Sequence, residues 1–277
     1  MRLLTLIVLS VFSTILNAQD VTYQSAFEFN KGDTARIFNN WTRVRSGPYA
    51  EAEILDSLPT NTNVIIKQRT DSVFLLGTRQ ARWYEIFYTK NNIIHEGFLW
   101  GSNLCLGQTV KNGYDILFGI SKNSATYDKV SKINFQENLA SVKVMSDQGL
   151  VDEYFFKVGT FESVSAVALG FDSVRLKNVD FVIKALTSGE ACGIASYDQY
   201  LLFTNQKLVA LPILTNVGDA DLYHYSENFY FTRDRKNSLD KITLNTEQYE
   251  KDETTQKEKT VRKKTVYTWD GKILKKI

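Results

Sequence analysis

The chain is poor in proline, with three residues in 277, and has only two cysteines, two histidines and two methionines. No His-Glu-x-x-His and no Cys-x-x-Cys occurs, which removes the common zinc-hydrolase and zinc-ribbon readings. No Gly-x-Ser-x-Gly elbow and no glycine-rich loop ending in Gly-Lys-Ser/Thr is present, so serine-hydrolase and phosphate-cradling classes lose their usual marks. Calcium loops need several oxygen ligands in quick succession. Here Asp172 and Asp180 stand apart with Arg175 and Lys177 between them. No metal and no cofactor is therefore expected. Thirty-three basic residues face thirty-one acidic ones, interspersed, and without a concentrated basic face nucleic acid is not an expected partner. A sustained helical period is missing too.

One apolar run does exist, at the start. Met1-Arg2 is followed by an apolar stretch over residues 3–16, then Asn17-Ala18 before Gln19-Asp20. A basic opening, a short apolar stretch and a small residue at the cut are the parts of a secretory signal. The stretch is shorter than the roughly 20 apolar residues a bilayer span needs. The expectation is an exported, periplasmic or secreted chain, cut after Ala18. No cysteine near the cut suggests a lipid anchor, and no later segment is apolar enough to span a membrane.

The remainder is long enough for one large domain or two modest ones. Aromatic residues make up 13 % of the chain. With Val, Ile and Thr they dominate the apolar stretches, which favours strands. After a lead-in over residues 19–32, residues 33–107 read as short strands separated by turns. Ala35-Arg36-Ile37-Phe38 and Thr42-Arg43-Val44-Arg45 precede the turn Ser46-Gly47-Pro48. Ile54 to Leu58 leads into Pro59-Thr60-Asn61-Thr62. Val64-Ile65-Ile66-Lys67, then Trp83 to Tyr88, apolar on both faces, then Gly97-Phe98-Leu99-Trp100 complete the set.

This segment resembles the bacterial SH3-like domain (the SH3b type). The resemblance rests on four pieces in order: Thr42 to Pro48, Leu58-Pro59-Thr60-Asn61-Thr62-Asn63-Val64, Trp83-Tyr84-Glu85-Ile86, and Gly97-Phe98-Leu99. Two departures stand out. Asn61 takes the place of the family's turn glycine, and asparagine tolerates the same left-handed backbone. Residues 70–82 are longer than a hairpin requires, and Val73-Phe74-Leu75-Leu76 would extend the pair into a ribbon. The resemblance implies a small barrel that docks peptidoglycan, a peptide or a partner protein. Tyr49, Trp83, Tyr84 and Trp100 would be the aromatic groove candidates, or else core.

From residue 114 to 277 the chain continues as strands, with no family resemblance. Residues 140–146 alternate apolar and polar. Residues 199–211 read as a hairpin with its tight turn at Asn205-Gln206, and Asp270-Gly271 marks another. An antiparallel sandwich or meander is expected, making the whole chain all-β. Residues 245–264, dense in charge of both signs, read as a long solvated hairpin or mobile loop rather than a binding site. The connection between domains is expected in the polar stretch 107–113.

In an oxidising compartment Cys105 and Cys192 can pair, contributing roughly 4 kcal/mol on the chain-entropy model; the alternative is two separate buried thiols. Catalysis has thin support. A Cys192–His224 thiol dyad or an unmarked carboxylate pair would make the chain an envelope hydrolase. Asp-Ser/Thr-apolar triplets at Asp33, Asp56, Asp71 and Asp172 mark turns or sugar-attachment sites. The reading preferred on balance is a non-enzymatic binding or interaction protein of the bacterial cell envelope.

Overall fold

β-Branched and aromatic residues alternate with polar ones along most of this chain, and strands form where they do. The computed structural model describes residues 22–25, 28–77, 79–128, 133–159, 161–189, 191–232 and 239–277. The expected export signal over residues 1–18 lies outside them. The described chain is all-β, with antiparallel sheets, as expected. No helix among the described residues is long and apolar enough to cross a membrane.

Strand β1 (Thr22–Ser25) comes first. The first sheet then contains β2 (Thr34–Arg36), β3 (Thr42–Arg45), β4 (Ile54–Leu58), β5 (Asn63–Leu76), β6 (Arg79–Lys90) and β7 (Ile93–Trp100). Its hydrogen-bonded order is β2-β5-β6-β7-β3-β4. Inward residues from all six strands, among them Ala35, Val44, Leu58, Val64, Ile86 and Leu99, form one core. The sheet must therefore curl. Lys90 and Tyr88 of β6 both reach Asp56 of β4, at 2.6 and 3.3 Å, although two strands separate them in the ladder.

The second sheet holds β8 (Gly107–Lys111), β9 (Tyr114–Asp128), β10 (Ile133–Ser146) and β11 (Gly149–Lys157). The stretch 107–113 is thus β8 and its turn into β9. The third sheet runs from β1 through β12 (Ala166–Asp172), β13 (Phe181–Ser188) and β14 (Ser196–Thr204), with β15 (Lys207–Ala210) on the side. The Asn205-Gln206 turn joins β14 to β15 with positive φ at both residues, as a two-residue hairpin of this kind requires. The sheet continues through β16 (Leu214–Asp219), β17 (Tyr223–Thr232), β18 (Asp240–Lys251), β19 (Glu258–Trp269) and β20 (Leu274–Lys276). The charged segment 245–264 is the regular far end of the β18–β19 hairpin.

The second sheet packs face to face on β12–β14 around Ile116, Phe118, Val142, Val144, Ile183 and Phe203. Farther along the chain the third sheet turns back on itself. Ile242, Leu244 and Trp269 of β18 and β19 then cover Val182, Tyr200 and Leu202 on the opposite face of β13 and β14.

The first unit and the sandwich are fused. In β6, Ala81 and Trp83 point into the sandwich core, whereas Tyr84, Ile86 and Tyr88 point into the first core. Successive strand residues face opposite ways, so burial of both Trp83 and Tyr84 means the strand is covered on both sides. Trp100 repeats this beside Leu99 in β7, paired with Trp83 across the ladder. Phe38 lies on the backbone of β9, where a Cβ on Gly119 would come within 2.6 Å of its ring; only glycine permits that approach. The lead-in also spans both units. β1 pairs with β12, while Phe29 is buried in the first core and its N–H donates to the Tyr84 hydroxyl at 3.1 Å.

Asn61 has φ of 71°, the left-handed conformation that the turn demands. Its side chain does a second job. Arg36 Nη1 donates to Asn61 Oδ1 at 2.7 Å, and Asn61 Nδ2 donates to Asp115 on β9 at 2.8 Å. Arg36 closes the triangle on Asp115 at 2.6 Å. Burial works to raise the Asp115 pKa, but Asn61 and Arg36 outweigh it and hold the carboxyl below its ordinary value. Asn61→Gly is expected to keep the turn and lose about 1–2 kcal/mol with the two bridges. Asn61→Ala should lose more, by the roughly 1–2 kcal/mol a Cβ adds in this conformation. Denaturant unfolding of the three proteins checks this; a glycine variant as stable as the parent would show that the bridge contributes nothing.

Candidate functional site

Three of the four aromatic candidates face inward. Tyr84 is 0 % exposed, Trp83 4 % and Trp100 5 %. The Trp100 indole N–H donates to the Ala81 carbonyl at 3.0 Å, and Phe74 of the projecting ribbon packs edge-on against its ring at 5.4 Å. The Arg79 guanidinium lies over the same ring at 5.1 Å, and its Nε and Nη1 are buried without a hydrogen-bond partner. These rings join the two units and offer no face to a ligand. Only Tyr49, in the β3–β4 loop, is open to solvent.

The cysteines are free thiols, which corrects the expectation that they could pair. Cys105 is buried with Phe38, Leu117 and Met145, and burial pushes its pKa far up, so it behaves as a small hydrophobe. Cys192 is exposed in the turn before β14. No hydrogen bond joins it to His224 among the described residues. The His224 ring instead stacks on Tyr249 at 5.0 Å, with Nε2 3.4 Å from Glu247. His95 stacks on Tyr88. Asp172 accepts the Val174 N–H at 3.0 Å, ordinary turn chemistry. No metal-ligating cluster of three or more His, Cys, Asp or Glu occurs among the described residues.

A cluster of half-buried polar groups lies on β12–β14. Lys184 Nζ is 3.6 Å from Asp198 and sits over the Tyr200 ring at 5.2 Å. Burial raises the Asp198 pKa, opposed only in part by the ammonium. Burial acts to lower that of Lys184, but Tyr200, Asp198 and Asp172 hold it above the ordinary value. A lysine kept charged cannot act as a nucleophile, so the pair supplies charge and hydrogen bonds. It borders a shallow cleft of about 280 Å³ lined by Ala166, Ala168, Leu186, Ser188 and Ser196.

The open apolar surface lies elsewhere. Among the described residues, ten of the eighteen large exposed hydrophobics fall between Trp41 and Ile94, which places the exposed apolar surface mainly on the first sheet. Its edge strand β4 carries Ile54 and Leu55 outward, with the Tyr49 loop at one end. At the other end Trp41 precedes Thr42, which pairs with Leu58. Trp41 is 66 % exposed and holds φ of 54°. A bulky residue in that region costs about 1–2 kcal/mol, a strain more often tolerated where a side chain is being presented than in a passive turn. Ile93 and Ile94, the latter 72 % exposed, open β7 and pair with Lys90 and Thr89 of β6, and Lys90 binds Asp56. The edge is partly guarded, because Asp56 takes the Ser57 N–H at 2.8 Å. Trp41, Ile54, Leu55 and Ile94 were not among the aromatic groove candidates. Asn39-Asn40 before Trp41 was the available signal, since two asparagines mark a turn that leaves a ring outside.

No protein-family model, no curated protein and no solved structure matches the chain.

Proposed function

We propose that this chain is an exported, non-enzymatic interaction protein of the bacterial cell envelope that docks a polypeptide partner through the β4 side of an SH3-like first unit. The observation that carries the reading is the exposure of Ile54 and Leu55 on the edge strand β4, with Tyr49 exposed in the loop before it, Trp41 exposed beyond its Leu58 end and Ile94 exposed on β7. Exposed apolar patches on a soluble protein mark interaction sites, and interface cores are built from such anchors. The inward turn of Trp83, Tyr84 and Trp100 removes three of the four aromatic groove candidates from any glycan platform, and the aliphatic Ile54 and Leu55 exposed on the edge strand favour a polypeptide. The order of the four family-like pieces and the curling of the first sheet about one core support the SH3-like reading. Export rests on the residue 1–18 pattern.

A photo-crosslinking residue placed at Leu55 or Ile94 in the chain, expressed in its own cells, is expected to give a discrete adduct that protease removes. The same residue at Val261 should give none. Adding Leu55→Asp with the crosslinker at Ile94 should cut the yield about tenfold, the loss of one central anchor. An adduct removed by muramidase and resistant to protease would transfer the site to peptidoglycan. Absence of any adduct at Leu55 and Ile94 would reject docking on this edge.

A further inference from the structure

The outer face of β17–β19 belongs to the third sheet, not the first, and has a different chemistry. Its cross-strand rows are Ser226–Glu247–Arg262, Asn228–Asn245–Lys264 and Tyr230–Thr243–Val266. Residues of the first two rows, with Tyr230, line an open depression of about 400 Å³. Two rows apart along strands and two strands across, the patch measures roughly 14 Å by about 10 Å.

The charges on it have distinct states. Glu247 is taken by Arg262 at 2.6 Å and by His224 at 3.4 Å. The Arg262 contact, first, and His224 hold the Glu247 carboxyl below its usual pKa. The one acid among these rows is thereby matched. Lys264 has no carboxylate partner, and the amides of Asn228 and Asn245 have no side-chain partner among the described residues. Tyr230 stands 59 % exposed at the end of the patch. A free ammonium, a guanidinium with unused N–H groups, two adjacent amides and one open ring lie on a regularly paired strand surface.

We infer that this face binds an acidic saccharide, a chain of uronate-type sugars. Lys264 and the outer edge of Arg262 take its carboxylates. Asn228 and Asn245 each offer both a donor and an acceptor to sugar hydroxyls, and the Tyr230 ring lies against the apolar face of one sugar ring. The face lacks what a polypeptide partner needs. No cluster of apolar anchors stands among the three rows, and interface cores are depleted in charge rather than built from it. The inference goes beyond the proposed docking edge and does not depend on it.

The test uses the whole exported chain and three probes in calorimetry at low salt: an oligogalacturonate, a neutral N-acetylglucosamine oligomer, and an oligoglutamate of matched charge. The oligogalacturonate is expected to bind best. Lys264→Gln should weaken it on the order of tenfold, the effect of one charge-assisted hydrogen bond, and leave the neutral oligomer unchanged. Tyr230→Ala should weaken the oligogalacturonate as well. Both positions are exposed, and unchanged unfolding midpoints would show that the variants fold. Equal binding of oligoglutamate would overturn the saccharide assignment and leave a charge-only surface. Oligogalacturonate binding that is absent, or indifferent to both substitutions, would overturn the site.

Discussion

Replacing Trp100 by alanine is expected to destabilise both units together, by about 3–5 kcal/mol. The ring is buried in the sandwich core although its strand belongs to the first sheet. Its loss leaves the Ala81 carbonyl without its donor and removes the edge-on contact from Phe74. It also takes away the ring beneath Arg79, whose Nε and Nη1 are already buried without acceptors. A partly buried cation that loses this contact adds to the cavity cost. Arg79→Met in the Trp100→Ala background should therefore recover part of the loss. Unfolding followed by hydrogen exchange at β5–β7 and at β9–β13 provides the readout. Both regions should lose protection in parallel. Protection lost in the first sheet alone, with the sandwich intact, would show that the indole does not couple the units.

The second large effect is expected at Lys143. Its ammonium is buried between the units, donating to the Phe38 carbonyl at 2.8 Å and lying over the Phe38 ring at 4.4 Å. Glu153 stands 3.8 Å away and also accepts the Ser141 hydroxyl at 2.6 Å. Lys143→Ala opens a void and leaves both the carbonyl and the carboxylate without their cation, an expected loss of about 3 kcal/mol. Lys143→Met keeps the stem volume and should lose about 1 kcal/mol, because Ser141 still serves Glu153.

The pH dependence separates charge from packing. Burial first of all lowers the Lys143 pKa from the ordinary 10.5, and Glu153 opposes it only partly. With the folded value below the unfolded one, the unfolded chain holds more protons between the two. The contribution of this residue to stability therefore rises as pH climbs through that window toward 10.5. The stability difference between the parent and Lys143→Met should grow over this range in denaturant titrations. A difference that shrinks would mean the ammonium is stabilised in place.

Much of the fold was legible locally. Asn205-Gln206 and Asn61 lie where a left-handed backbone was expected, because such turns depend on the residues in them. The all-β class followed from residue type and alternation, which a strand expresses without help from distant chain. The candidate site was less legible. Trp83 and Trp100 could be read as groove or as core, because an apolar strand reads the same whether a ligand or a second sheet covers it.

What the sequence determined by itself was the strand-building content, the turn positions, the matched and interspersed charge, and the want of familiar catalytic motifs. The tertiary structure alone decided that the sandwich covers Trp83 while the first core covers Tyr84. It decided that Cys105 and Cys192 stay apart, that Trp41 and Ile94 remain outside, and that Asn228, Asn245 and Lys264 line up across three strands. The reason is physical. Alternation assigns each side chain to one of two faces, but register between distant strands decides what lies over each face, and a shift of one residue exchanges the two.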